Sequence, residues 1–128
     1  MKKMVPIAVF ALLLTLLIAC GGTSNSRSNT PDKVTMGAST FNVITMTIHK
    51  GHTLTFENNA DSGSLHILAV GKDGQNDTEN GAPNFGGFAG HRSEVGDSWT
   101  TPPWNTAGTY HVTCTVHPMM NLTVIVTS

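Results

Sequence analysis

Cys114, His117, Met119 and Met120 fall within one short stretch, CTVHPMM. A thiol, an imidazole and two thioethers are donors that soft and borderline metal ions prefer, whereas hard cations such as calcium take oxygen. A lone thiol has two other uses, as an inert buried side chain or as one half of a disulfide with another chain. Which of the three applies depends on where the chain resides and on the elements that position Cys114.

The start of the chain addresses its compartment. Lys2 and Lys3 precede an apolar run from Val5 to Ala19, and LIAC places Cys20 after small residues. This pattern reads as a secretory leader. The run is short for a membrane span, and it gives way at once to the polar GGTSNSRSNT. LIAC resembles the bacterial lipobox. That resemblance implies that residues 1–19 are removed and that Cys20 carries lipid. Residues 20–32 would then be a flexible tether and residues 33–128 a single domain, exported and anchored on a periplasmic or extracytoplasmic membrane face. With Cys20 so used, Cys114 has no partner within the chain in a compartment where disulfides form.

Composition narrows the partners. Without Lys2 and Lys3, five of the seven Lys and Arg remain against eight Asp and Glu, so the mature chain is mildly acidic. Nucleic acid is therefore not an expected partner. Asp73, Asp77 and Glu79 lie in the polar stretch GKDGQNDTENG, which reads as a solvated loop.

The elements around the motif read as strands. Ile44, Met46 and Ile48 alternate with Thr45, Thr47 and His49, and Leu54 and Phe56 alternate with Thr53, Thr55 and Glu57, with the turn KGHT between. Period two of this kind marks half-buried strands. SLHILAV is apolar on both parities, and NLTVIVT forms a last β run. No segment of length reads as a helix. Short strands separated by Gly, Asn, Asp and Pro predict an all-β domain of two packed antiparallel sheets. The segment 72–97 is long for a loop in so small a domain, a length that signals function, hidden short strands or both.

Parity then selects the histidines. In GTYHVTC, Tyr110, Val112 and Cys114 share the inner face, while His111, Thr113 and Thr115 point the other way. Pro118 cannot continue a central strand, so a turn is expected there, gathering Cys114, His117 and one methionine. A further ligand must come from elsewhere. His66 is the candidate, because it opens an apolar strand in which an unpaired imidazole is costly to bury. His49 and His111 fall on solvent faces by parity, His52 sits in a turn, and His91 lies in the long segment. Structural zinc sites usually take two or more cysteines. Two histidines, one cysteine and a weak axial methionine are the ligands of blue copper electron-transfer centres.

AGTYHVTCTVHPMMNLTVIV resembles the carboxy-terminal copper loop of the small cupredoxins, the plastocyanin and amicyanin group, and its Cys-x-x-His-x-x-Met spacing is most similar to amicyanin. The resemblance implies a Greek-key β-sandwich holding one copper per chain, with His66, Cys114 and His117 equatorial and Met120 axial. Met119 competes with Met120 but is better placed on the surface beside Pro118. The resemblance also implies electron exit through His117, within a patch of Pro118 and Met119 with Phe85 or Phe88 nearby. The expected protein is a monomeric blue copper carrier that shuttles single electrons between membrane-bound or exported redox partners. A red-copper-type enzyme, for which Glu57 or Glu94 would have to supply a hard ligand, and a copper carrier that delivers the ion are the alternatives. Two departures from the family pattern stand out. Ile67 occupies the place of an asparagine that ties the two ligand loops together, and Leu122 that of a glycine.

Overall fold

The computed structural model describes residues 32–128; the leader, Cys20 and the tether as far as Pro31 lie outside the described residues. Eight strands follow in order: β1 (Asp32–Met36), β2 (Thr45–His49), β3 (Leu54–Asn58), β4 (His66–Val70), β5 (His91–Ser93), β6 (Ser98–Thr100), β7 (Gly108–Cys114) and β8 (His117–Thr127). They build a three-stranded sheet, β1-β3-β6, and a five-stranded sheet, β2-β8-β7-β4-β5. The helical content of the described residues is a 3-10 turn at Gly87–Ala89.

Alternation in the sequence becomes the two faces of each sheet. Along β8, Met120, Leu122, Val124 and Val126 are buried while the residues between them stay half-exposed. β3 buries Leu54, Phe56 and Asn58 in the same rhythm. Val34, Met36, Leu54 and Phe56 from the smaller sheet meet Leu68, Val112 and Val124 from the larger one, all at 0% exposure. Each such side chain contributes about 1.5–3 kcal/mol by leaving water. Asn58, polar and fully buried, is satisfied: its amide donates to the carbonyls of Ser64 and Ser93, and its oxygen accepts from the Ser62 hydroxyl.

The two-sheet sandwich is the one the periodicity predicts, with three differences in detail. Each sheet contains one parallel pair, β1 with β3 and β2 with β8, so the sheets are mixed rather than purely antiparallel. Period two tells which way a side chain faces and says nothing about the direction of the neighbouring strand. Ile44 is 80% exposed rather than inward. It precedes β2, an edge strand of the larger sheet, and three strands do not cover the whole face of five. Thr113, outward by parity, is fully buried, because the segment after β4 lies over it and the Gly74 amide donates to its hydroxyl.

That segment is less irregular than its composition suggests. It opens with a tight turn in which the amides of Gln75 and Asp77 donate back to the carbonyls of Lys72 and Val70. Gly71 makes the turn possible: at φ 133° a Cβ there would lie 2.1 Å from the Gln75 carbonyl oxygen. Two clips fasten it to the larger sheet. Asp73 and Asn121 exchange a pair of hydrogen bonds, and the Glu79 carboxylate accepts from both the backbone amide and Nδ1 of His111. Asp73 and Glu79, read from sequence as parts of a solvated loop, are thus structural ties. The hidden strand within 72–97 is β5.

Candidate metal centre

β4 begins at His66, β7 ends at Cys114, and β8 begins at His117 after the turn at Thr115 and Val116. Cys114 stands opposite Leu68 of β4 and opposite His117 of β8 in the register, so three strand ends deliver three donors to one rim of the sandwich. The Cys114 sulfur lies 3.7 Å from His66 Nδ1 and 3.6 Å from His117 Nδ1. All three donor atoms fall within 4.8 Å of one another. Donor atoms each about 2.0–2.3 Å from one ion lie roughly 3–4 Å apart, so the spacing fits a shared ion. Its chemistry fits as well, since a thiol and two imidazoles without a carboxylate are soft and borderline donors.

Each donor is held in place. His66 is fully buried, and its Nε2 lies 2.9 Å from the Gly37 carbonyl oxygen. A carbonyl can only accept, so Nε2 carries the proton and Nδ1 presents its lone pair to the Cys114 side. Burial lowers the His66 pKa below the ordinary imidazole value and the neighbouring His117 adds to this, while the Gly37 bond opposes it. The neutral, ligating form is thereby kept. Gly37 was not legible as a partner: it lies in the loop after β1, and no local pattern links it to His66.

The methionines separate by burial. The β7–β8 register jumps from Thr113 opposite Asn121 to Cys114 opposite His117, which leaves Pro118, Met119 and Met120 as a bulge. Pro118 therefore lies inside β8, and the turn comes before it; within a bulge its missing N–H costs no ladder bond. Met119 is 89% exposed and Met120 is 1% exposed. The Met120 carbonyl accepts from the Thr113 hydroxyl. Of the two thioethers, only Met120 is packed on the protein side of the loop.

Main chain joins the two ligand segments beside Ile67, as the Thr115 amide donates to the Ile67 carbonyl oxygen at 2.9 Å. The turn after β4 buttresses the loop from outside. A Cβ on Gly74, at φ 77°, would sit 3.0 Å from Pro118 Cβ and Cγ. Gly74→Ala is expected to cost about 1–3 kcal/mol from the left-handed backbone alone. It should also push Pro118, so chemical denaturation and the absorption of the copper-loaded protein should change together.

The other candidates lie elsewhere. His49 is exposed at the end of β2, His52 is half-buried in the following turn, and His111 is half-covered beneath its tie to Glu79. His91 on β5 stacks on Trp99 with ring centroids 3.8 Å apart. Phe85, proposed for the rim, is buried at 3% exposure against Trp99 and Trp104; Phe88 is fully exposed. Glu57 pairs with Lys33 and Glu94 with Arg92, and neither belongs to the converging group.

Solved structures share this arrangement of strands. Amicyanin from Paracoccus versutus superposes with a TM-score of 0.59 at 24% identity, over 77% of this chain and 82% of that one. The chain has the cupredoxin fold. A reduced amicyanin carrying a proline-to-phenylalanine substitution gives a TM-score of 0.57 at 19% identity, over 78% and 85% of the two chains. A copper-containing nitrite reductase from Thermus scotoductus gives 0.58 at 20% identity, with 77% of this cupredoxin-fold chain covering 22% of the enzyme. No family model and no curated protein matches the chain.

Proposed function

We propose that the chain is a type 1 copper protein that passes single electrons between redox partners, with one ion held by His66, Cys114 and His117 and by Met120 as the axial ligand. The convergence of a buried thiol with two Nδ1 atoms within 4.8 Å carries this reading. Copper bound there would supply a reversible one-electron couple. The protein's part is to fix the donors: His66 through Gly37, Cys114 through strand pairing on both sides, and the His117 loop through its bulge and the Gly74 contact. Fixed donors change little between oxidation states, which keeps electron exchange fast.

His117 is half-exposed and adjoins exposed Pro118 and Met119 on the loop surface, with Val116 beside it. This surface is the exit for the electron, suited to the small, brief contacts of redox partners. Export, with loss of residues 1–19 and lipid on Cys20, would hold the domain at a bacterial membrane by the tether 20–32. A copper carrier would favour exposed, exchangeable donors, and the fully buried Cys114 argues against it.

Redox titration of the copper-loaded protein tests the shuttle. One reversible one-electron wave without turnover is expected, and irreversible loss of metal on reduction would contradict it. Within the same experiment, Met120→Ala should shift both potential and absorption, because it removes the axial donor. Met119→Ala, at an exposed position, should leave both unchanged.

A further inference from the structure

His66 lacks the two-sided strand support that Cys114 has. It opens β4, the residues Gly63 to Leu65 before it belong to no strand, and pairing of β4 with β7 starts only at Leu68. Its one partner in the ladder is Ser93 of β5. A ligand at such a strand end has to be fixed by something besides the ladder.

Three contacts surround His66, and all three lead to Asn58. The ring is held by the Gly37 carbonyl oxygen, 2.9 Å from Nε2. Gly37 follows Met36, the partner of Asn58 in the β1–β3 pair, and the Asn59 amide donates to the Met36 carbonyl. Two residues before His66, the Ser64 carbonyl accepts from Asn58 Nδ2 at 2.8 Å. Across from His66, the Ser93 carbonyl accepts from the same nitrogen at 3.1 Å. One side chain of the smaller sheet thus reaches both main-chain supports of a donor carried by the larger sheet.

Asn58 is itself fixed. It is fully buried, and its Oδ1 accepts from the Ser62 hydroxyl at 2.6 Å, which decides the way the amide faces. Its backbone amide donates to the Asp97 carbonyl, and its own carbonyl accepts from the Gly96 amide. A leucine of similar volume could bond neither the Ser64 nor the Ser93 carbonyl. Buried carbonyls left without a donor favour backbone shifts that find one.

We propose that Asn58 is a positioning residue for the metal centre, holding His66 from the opposite sheet and thereby setting the copper potential. The proposal rests on the copper reading of the Cys114 group and adds to it a residue hydrogen-bonded to none of the donor atoms. Cu²⁺ requires a full and fixed set of donors, whereas Cu⁺ tolerates fewer. Loosening His66 therefore weakens the oxidised state more, and the potential rises.

The test compares the copper-loaded full chain of wild type, Asn58→Leu, Ser62→Ala and Trp104→Phe by redox titration and electron paramagnetic resonance. Asn58→Leu should lose Cu²⁺ affinity about 10-fold or more, as when other residues that orient a ligand are removed. A tenfold loss confined to the oxidised state raises the potential by about 59 mV. Ser62→Ala keeps the Asn58 amide but frees its orientation, so it should shift the potential the same way by less, and it reads the contact even where Asn58→Leu does not fold. Trp104 is bonded to Gly51 and His52, at the Thr127 end of β8, so Trp104→Phe should alter stability with the potential unchanged. In the metal-free proteins, amide hydrogen exchange at Leu65 and His66 should quicken about tenfold or more in Asn58→Leu and not in Trp104→Phe. A wild type with the thiolate-to-copper band, matched in potential by Asn58→Leu and Ser62→Ala, would overturn this proposal alone. A wild type without that band would overturn the copper reading and the proposal with it.

Discussion

Cys114→Ser is expected to remove the visible colour of the copper-loaded protein altogether while leaving its fold intact. The colour of a blue site is charge transfer from a thiolate, and serine offers only a hard, neutral hydroxyl in its place. Cys114 is fully buried, with both its polar neighbours, His66 Nδ1 and His117 Nδ1, within 3.7 Å. A serine hydroxyl there finds an imidazole to donate to, so no polar group is left unpaired. Far-ultraviolet circular dichroism of the metal-free variant should therefore overlay that of the parent. Copper affinity should fall by orders of magnitude, because the only thiolate among the converging donors is gone. Colour retained in this variant would show that another group binds the ion.

Trp104→Ala should bring the largest loss of stability, about 3–5 kcal/mol, as for other fully buried aromatic residues. Trp104 heads the fully buried side chains by size and packs against both Phe85 and Tyr110, with centroids 6.1 and 5.6 Å away. Its indole nitrogen donates to the Thr101 hydroxyl, which also accepts from the Leu54 amide. Truncation would empty the space between the sheets and remove a donor from that network. It would also loosen the turn at His52, since Trp104 exchanges backbone bonds there. The midpoint of urea unfolding should drop with an unchanged slope. Trp104→Phe, which keeps most of the volume, should recover most of the loss.

Local features of the sequence carried the core of this picture. Parity placed Cys114 inward because an alternating strand allows only two faces. The spacing from Cys114 to His117 was informative because one tight turn joins them. His66 was legible for a different reason: an imidazole in an apolar strand needs a partner.

Long-range features were not legible. The Gly37 carbonyl that orients His66 lies on a loop far away in sequence, and nothing in either segment announces the contact. Thr113 and His111 were assigned to solvent because parity describes the strand and not the segment lying over it. Pro118 was expected to mark the turn, whereas a bulge accommodates it inside β8. Trp104 drew no notice because it lies between strands after two prolines, in a stretch without periodicity. The mixed direction of the sheets follows from connections that side-chain pattern does not encode.

Titration of the purified protein with Cu²⁺, followed by visible absorption and electron paramagnetic resonance, tests the copper reading most directly. The first equivalent should raise an intense thiolate-to-copper band with narrow parallel hyperfine splitting, saturating at one ion per chain and absent from Cys114→Ser. A first equivalent that binds without that band, or with the wide splitting of an ordinary imidazole and oxygen site, would contradict the account.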